Sequence, residues 1–571
     1  MCGILIWQLI LSALALTAEA VNLRPTPASK RNNGPPPPQF VQTQGGSFFV
    51  NGSQFQFVGT NAYWLHALNS DQDIDNTLAS IAAANITVVR TWGFNDVETI
   101  PENGTWFQHI SNGTITINNG TNGLQRLDKV MELAQKHGIY ILLSLTNNWN
   151  PHPLDDPGTA GGTRLVTNDT RPRNTLSNDY GGMDLYVRQL GSSQHHDQFY
   201  TNDTIITAFK DYTTAIVSRY KDNPFVIGWE LANDPRCGSS LPASPSCETR
   251  VVTRWHSDVA QHVNSQDPNH LVASGNQGFV CPDCPKLFQR PPPPPPVAPA
   301  PPQPSPAPGT RRRRTPGPLT RAKLLRERKA MWRKARKVQK RSGKPSGGVR
   351  IRGRWMASPA IRAEDIDVGS ATDGSHGVDS EDILSISQVG FGSFQLFPDQ
   401  NDYRLNPEDT TLPLFNQTLQ IGLDWIRFQG ETAALLGKPI TLTGFGLVTS
   451  GNADAFVPFN STAPFGSDQG TPPSQQPFGV TDAERDEAYR QWLQAGLAAG
   501  LQGMIQYQWG QGNLTAQEGT AVSPTPDESG VTPNQDETGL SPNDGYTSLG
   551  TGQGEFLDTM KAGAQEFGPD V

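Results

Sequence analysis

Eight short apolar runs, most of them separated by segments of helical periodicity, are the feature that most constrains the fold of this chain. The runs are 56–61, 86–92, 139–145, 225–235, 270–274, 391–397, 439–445 and 503–509. Helical segments are predicted at 124–137, 205–220, 249–263, 414–436 and 482–499. Strands that alternate with helices form parallel sheets, so the pattern predicts a (β/α)8 TIM barrel. A doubly wound open sheet is the alternative, because periodicity does not show closure.

The fourth run, Phe225 to Pro235, ends in Asn233-Asp234-Pro235. An apolar run that stops in polar residues and a proline predicts a buried strand with polar side chains at its carboxyl end. Barrel enzymes carry their catalytic groups at this end of the strands. We therefore expect Asn233 and Asp234 to belong to a functional site.

The N-terminus has the pattern of a secretory signal peptide, predicted over residues 1–20. An apolar run from Ile4 to Leu16 precedes Ala18-Glu19-Ala20, although no Lys or Arg precedes the run. A buried N-terminal helix is the alternative. Residues 21–39 form a Pro-rich leader that we expect to be disordered. Since no other apolar run approaches the roughly 18 residues of a membrane span, we expect a secreted, extracellular protein.

Glycosylation signals and cysteines agree with secretion. Ten Asn-x-Ser/Thr sequons occur, at Asn51, Asn85, Asn103, Asn112, Asn119, Asn168, Asn202, Asn416, Asn460 and Asn513. Removal of the signal peptide leaves four cysteines, Cys237, Cys247, Cys281 and Cys284. In an oxidising compartment we expect two disulfides in one of three pairings, with a zinc site as the alternative.

A long interval separates the fifth run from the sixth. We predict a largely disordered insertion over 290–382, between barrel halves at 40–289 and 383–571. It opens with a proline-rich spacer at 291–308. The following basic arm, Arg311–Arg354, holds 19 Lys or Arg and one acid, Glu327, which leaves 26 basic and 53 acidic residues elsewhere. The chain is thus an acidic body with a basic arm.

Several interpretations of the basic arm follow from its charge. The simplest is a solvated arm that lies on the acidic barrel. It can also bind an anionic wall polymer or phosphomannan, whereas nucleic acid is not an expected partner of a secreted chain. Arg311 to Arg314 form a multibasic site for secretory proteases, and a translated intron would have a similar composition.

Six ordered motifs carry a family resemblance. They are Gly59-Thr60-Asn61-Ala62-Tyr63-Trp64, Val89-Arg90-Thr91-Trp92-Gly93-Phe94, Tyr180 to Val187, His196 to Tyr200, Trp229 to Arg236, and Asp267-Pro268-Asn269-His270. The chain resembles family 5 glycoside hydrolases, in particular fungal endo-β-1,4-mannanases. The resemblance implies a barrel, a β-1,4-mannan-type polysaccharide as ligand, and neither a metal nor a cofactor. Other β-1,4-linked glycans, such as glucan, fit similar sites.

The resemblance also implies that the catalytic groups are substituted. Retaining glycosidases need two carboxyl groups about 5 to 5.5 Å apart. The family's acid/base Glu matches Asp234, whose carboxyl is shorter by one carbon, and its nucleophilic Glu matches Gly444. The His-x-Tyr pair of the sixth strand matches Gln395 and Phe397, and Phe397 has no hydroxyl to hold a nucleophile.

Other positions retain the family's residues. Arg90, Asn233 and Trp509 match positions around the sugar next to the cleavage point, with Trp509 as a platform beneath it. Trp64, Trp92 and Trp149 lie at predicted strand ends or in the loops after them, on the face where barrels bind ligands. The alternative is that some of these tryptophans are core residues. Glu230 is expected to form a structural ion pair.

Three hypotheses result. The first is a non-catalytic relative of the mannanases that binds β-mannan or a related wall glycan. The second is an active endo-β-1,4-mannosidase with Asp234 and an unrecognised second carboxylate; inversion would place the carboxyls about 6.5 to 9.5 Å apart. The third is an interaction protein that works through its basic arm.

Overall fold

The computed structural model describes residues 39–151, 171–288, 349–351, 354–356, 369–405, 411–462, 479–522, 538–550 and 552–568. Its main sheet contains eight parallel strands. They are β1 (Phe57–Asn61), β2 (Val88–Trp92), β3 (Tyr140–Ser144), β4 (Val226–Glu230), β5 (Leu271–Ala273), β6 (Gly392–Leu396), β7 (Ile440–Phe445) and β8 (Gly503–Gln506). Every predicted run contains one of these strands.

The sheet closes into a barrel. Its order is β5-β4-β3-β2-β1-β8-β7-β6, which is the order of the chain wrapped around a circle. A parallel bridge joins Ala273 to Phe391 across the remaining gap, and the amide of Gly390 donates to the carbonyl of Val272 at 2.8 Å. The alternative of a doubly wound open sheet is wrong, because such a sheet reverses its strand order at a switch point.

Ten α-helices are described. They are α1 (Asp71–Ala83), α2 (Leu124–Lys136), α3 (Met183–Leu190), α4 (Gln198–Thr201), α5 (Asp203–Tyr220), α6 (Thr249–Gln266), α7 (Ser380–Leu384), α8 (Leu414–Leu436), α9 (Asp482–Ala498) and α10 (Gln553–Phe567). All five predicted helices are confirmed, and some of their ends have recognisable caps. A capping box of Thr481 and Glu484 begins α9, and Gly437 ends α8 in the left-handed conformation. None of the helices in the described part of the chain is long and apolar enough to cross a membrane.

A small antiparallel sheet closes the amino end of the barrel. It consists of strands Gln42–Gln44, Ser47–Val50 and Ser53–Phe55. Phe48 from this sheet is fully buried against Phe57 and Phe391. The amino end is therefore filled by apolar side chains, and the polar residues of the barrel concentrate at the opposite end.

The remaining secondary structure is short. Further strands are Asp96–Val97, Gln108–Ser111, Thr114–Ile117, Val349–Ile351, Arg354–Met356, Leu514–Thr515 and Thr538–Gly539. Single 3-10 turns occur at Leu65–Ala67, Ser370–Thr372 and Ala453–Ala455.

Two parts of the predicted insertion lie within the described residues, and the second differs from the prediction. Strands 349–351 and 354–356 form an antiparallel hairpin at the end of the basic arm. Ala371 and Val378 are buried in the main core, so the barrel resumes before residue 383. The signal peptide, most of the leader and most of the basic arm lie outside the described residues.

Two disulfides join the four cysteines. Cys237 pairs with Cys247 and Cys281 pairs with Cys284, which confirms two bridges and selects one of the three pairings. The zinc alternative is wrong for these cysteines because all four sulfurs are used. Among the described residues, no group of three or more His, Cys, Asp or Glu is arranged to hold a metal ion.

Candidate functional site

Asp234 lies just beyond β4, at the carboxyl end of the barrel. Its backbone has a positive φ of 55°, a conformation that Asp adopts more readily than most residues. The carboxylate accepts hydrogen bonds from Nε and Nη2 of Arg236, both at 2.8 Å, and from Nε1 of Trp149 at 2.8 Å. Asp234 is 1% exposed. The residue predicted at the acid/base position, Asp234, is therefore an enclosed carboxylate surrounded by donors.

Arg236 is itself held in place. Its guanidinium lies 5.1 Å from the ring centroid of Trp149 and 4.9 Å from that of Phe279. The hydroxyl of Tyr200 donates to the backbone carbonyl of Arg236 at 2.8 Å. Cation–π contacts and the ion pair thus fix Arg236 between two aromatic rings.

A second buried ion pair spans the barrel between β2 and β4. Arg90 Nε donates to both oxygens of Glu230, at 3.1 and 3.0 Å, and Nη2 also contacts Oε1. Both side chains are almost fully buried. The expected structural ion pair of Glu230 is confirmed.

The pair continues into an amide network. Arg90 Nη2 and Gln395 Nε2 both donate to Asn233 Oδ1, at 2.8 and 2.9 Å. Asn233 Nδ2 donates to Asn147 Oδ1 at 2.8 Å, and Gln277 donates to Gln395 at 2.8 Å. The structure thus brings together Arg90, Asn233 and Gln395, three of the predicted site residues.

Gly444 lies in β7, one residue from its end. A Cβ atom at Gly444 would lie 3.0 Å from Cζ and 3.2 Å from Cε2 of Phe397. Phe397 is buried, with its ring centroid 5.1 Å from Phe459, 5.4 Å from Tyr507 and 5.5 Å from Tyr546. The space beside Gly444 is therefore filled by an aromatic cluster.

The four predicted tryptophans separate into two groups. Trp64 and Trp92 are fully buried, and the indole of Trp92 donates to the carbonyl of Ser177 at 3.1 Å. Trp509 is 3% exposed and donates to Gln511 at 3.2 Å. Trp149 is half-buried. The burial of Trp64, Trp92 and Trp509 favours the alternative that these tryptophans are core residues, because a stacked sugar needs an accessible ring face.

Residues 456–462, from the loop after β7, cross the mouth of the barrel; we call them the closing segment. Asn178 Nδ2 donates to the carbonyls of Phe459 and Ser461, at 2.7 and 2.8 Å. The amide of Phe459 donates to Gln400 Oε1 at 2.8 Å. The loops after β3 and β6 thus hold the closing segment against the aromatic cluster.

Asp544 joins three loops behind the closing segment. Its Oδ2 accepts from Ser177 at 2.8 Å and from the hydroxyl of Tyr507 at 2.6 Å, and Oδ1 accepts from Gln508 at 2.8 Å. Its backbone carbonyl accepts from the amide of Val457 at 3.0 Å. Burial raises the pKa of the Asp544 carboxyl to about 6, because charge is poorly solvated there.

Sequence reasoning did not single out Asp544, Tyr507 or Phe459. They lie on loops or at a strand end with no local pattern that marks them, and only closure of the barrel brings them together. Arg236 could have been found, because it stands inside the matched motif that ends at that residue.

The acid after β4 and the Arg90–Asn233 network lie at the carboxyl end of a parallel eight-stranded barrel, the end at which enzymes with this fold carry their active sites. Residues 38–292 match the family model described as GH family 5 beta-mannosidase-like. The resemblance to family 5 mannanases is thereby confirmed over this part of the chain, which includes Arg90, Trp149, Asn233 and Asp234.

Similar proteins include named fungal mannosidases. Mannan endo-1,4-beta-mannosidase A of Aspergillus aculeatus is 37% identical over 271 residues, 47% of this chain and 61% of that protein. Mannan endo-1,4-beta-mannosidase A of Hypocrea jecorina is 35% identical over 273 residues, 48% of this chain and 52% of that protein. The matched region thus spans only about half to three fifths of these relatives.

Solved structures extend the likeness of the fold. The endo-1,4-beta-mannanase from Rhizomucor miehei aligns with a TM-score of 0.54 at 22% identity, over 92% of this chain and all of that one. The endo-beta-1,4-mannanase from Thermotoga petrophila aligns with a TM-score of 0.52 at 22% identity, over 91% of this chain and 79% of that one. These similarities extend the barrel through the second half of the chain, where Gln395, Phe397, Gly444 and Trp509 lie.

Proposed function

We propose that this chain is a secreted, glycosylated, mannanase-like barrel that binds a β-1,4-mannan-type polysaccharide without hydrolysing it. The observation that carries the proposal is the glycine at position 444, with the ring of Phe397 in the space that a nucleophile would need. Loss of a nucleophile costs hydrolases on the order of 10⁶-fold in kcat. The similar fungal proteins are named as mannan endo-1,4-beta-mannosidases, which supports a β-mannan as the glycan.

Trp149 and Asn233 are the residues best suited to contact the glycan. Both are half-buried at the carboxyl end of the barrel. The indole face of Trp149 can stack on the apolar face of a sugar ring. Within the described residues, Asn233 donates one of its two amide hydrogens to Asn147, and the other can be donated to a sugar hydroxyl.

An active endo-β-1,4-mannosidase with Asp234 and a second carboxylate is the other candidate. The candidate for the second carboxylate is Asp544, which accepts a hydrogen bond from Tyr507, whose ring packs against Phe397. However, Asp544 accepts from three donors and is 2% exposed, which suits a structural role better than attack on a sugar. If this candidate is right, the unmodified protein shortens mannan oligosaccharides and Asp234→Ala abolishes that activity.

Titration calorimetry with mannohexaose tests the binding claim, with cellohexaose as the control glycan. We expect saturable binding that weakens about fivefold or more in Trp149→Ala, because truncation of a central aromatic contact costs more than about 1 kcal/mol. Trp149→Phe keeps an aromatic face but removes the hydrogen bond to Asp234, and it should retain most of the affinity. Failure of the folded wild-type protein to bind either glycan would refute the proposal.

We further propose that the basic arm, Arg311–Arg354, binds an anionic wall polymer independently of the barrel. The 19 basic side chains of the arm support this, because clustered cations attract polyanions at low ionic strength. Deletion of the arm should abolish binding to a phosphomannan and leave mannohexaose affinity unchanged. Loss of mannohexaose binding in a folded deletion variant would favour an interaction protein that works through the arm.

A further inference from the structure

Asn460 stands at an unusual place on the surface of the barrel. It is exposed, whereas Ser461 and Thr462, which complete its sequon, are 2% and 6% exposed. The carbonyls on both sides of it, of Phe459 and Ser461, accept hydrogen bonds from Asn178. The backbone on each side of Asn460 is therefore held toward the protein while its side chain extends into solvent.

Most of the other described sequons have an asparagine with a local structural role. Four have a positive φ, which favours Asn over most residues, namely Asn51, Asn85, Asn112 and Asn513. A fifth, Asn202, caps α5 by accepting from the amide of Thr204 at 3.0 Å. In these five sequons, the backbone conformation or the helix cap accounts for the presence of asparagine.

Four described sequons have neither of these roles. Asn103, Asn119, Asn416 and Asn460 are exposed, and none of them has a positive φ or caps a helix. Asn460 is the member of this group that lies on the closing segment. The side chain of Asn460 has neither of these local roles and is exposed, so it is available as a glycan acceptor.

We infer that Asn460 is an N-glycosylation site and that its glycan is attached at the mouth of the barrel. In the reaction, the amide nitrogen of Asn460 displaces a lipid pyrophosphate from C1 of an oligosaccharide. A C–N bond forms, the C–O bond to the pyrophosphate breaks, and the amide loses one proton. Because the oligosaccharide is added to the unfolded chain, the sequon is recognised before Thr462 becomes buried.

The attached glycan has a mechanical consequence. The oligosaccharide is bulky and hydrophilic, so it must remain in solvent above the closing segment. It therefore adds a covalently attached, hydrophilic group on the Asn460 side of the mouth. The inference rests on the secretion and glycosylation proposed above but not on mannan binding, so the glycosylation and binding claims fail separately.

Mass spectrometry of the full chain secreted from a eukaryotic host tests the inference. Cleavage after glutamate gives the peptide 432–484, in which Asn460 is the one sequon. Enzymatic deglycosylation in ¹⁸O water should shift this peptide by about 3 Da as Asn460 becomes aspartate. Asn460→Gln should abolish the mass shift of this peptide and lower the intact mass by one glycan. Asn119→Gln should do the same for the peptide that contains Asn119. An unshifted peptide from a protein modified at Asn103 or Asn119, or a secreted protein with no glycan at all, would overturn the inference.

Discussion

Gly444 and Phe397 are complementary at the level of single residues. The phenylalanine ring lies where a side chain at position 444 would extend, so the residues that fit at these two positions depend on each other. Replacement of one residue alone should meet a packed neighbour, and interiors of this density accommodate extra atoms poorly.

This dependence predicts how activity can be restored. Gly444→Glu with Asp234→Glu should remain inactive, because the new side chain clashes with Phe397. The addition of Phe397→Ala gives the carboxylate room, and mannohexaose hydrolysis should rise at least about tenfold above the double variant. Reducing-end assays on purified, folded variants measure this. Equal activity with and without Phe397→Ala would show that the ring is not the obstacle.

Asp234 and Arg236 give the second prediction at this scale. Removal of one partner from a buried pair leaves an uncompensated charge, so Arg236→Ala should lower the free energy of unfolding by roughly 3 to 5 kcal/mol. The matched control is Arg427→Ala, which breaks the exposed pair with Asp424 and should cost no more than about 1 kcal/mol. Urea unfolding of both variants provides the comparison. Similar losses in the two variants would contradict the structural role of Arg236.

The strands and helices show which features of the fold could be predicted from the sequence. Apolar runs and helical periodicity located every barrel strand and the five predicted helices, because both patterns are local. Core burial of some tryptophans was an alternative, but which ones are buried could not be predicted, because exposure at a strand end depends on loops that are distant in sequence. The positions of Asp234 and Gly444 were predictable from motifs, but the ring of Phe397 and the donors around Asp234 required the closed barrel.

The closing segment can be tested as an element. Asn178→Ala removes two hydrogen bonds, each worth about 0.5 to 1.5 kcal/mol. Amide hydrogen exchange in residues 456–462 should therefore become about tenfold faster or more. Asn69→Ala is the matched control, because Asn69 donates to the carbonyls of Thr515 and Val522 instead. Exchange in the segment that is equally fast in both variants would contradict the anchoring by Asn178.

The stability of the whole molecule should depend on Asp544. Its pKa is raised to about 6 by burial, above the value of about 3.9 expected in the unfolded chain. A raised acid pKa contributes stability that is present below the unfolded pKa and lost as pH rises through about 6. The free energy of unfolding should thus fall between pH 4 and 7, by at most about 1.4 kcal/mol per pH unit from this group.

Asp544→Asn provides the comparison, because the amide is similar in shape and does not titrate in this range. Urea unfolding at pH 4 and pH 8 should show a smaller decline in the variant than in the wild-type protein. An identical pH dependence in both proteins would show that Asp544 does not titrate as proposed.

Chromatographic analysis of mannohexaose after prolonged incubation with the purified wild-type protein tests the central claim most directly. Because position 444 has no side chain to attack a sugar, we expect the hexasaccharide to be recovered intact under conditions in which it saturates the protein. Shorter oligosaccharides that form with the wild-type protein and are absent with Asp234→Ala would contradict this expectation. They would establish that Asp234 works with a second carboxylate.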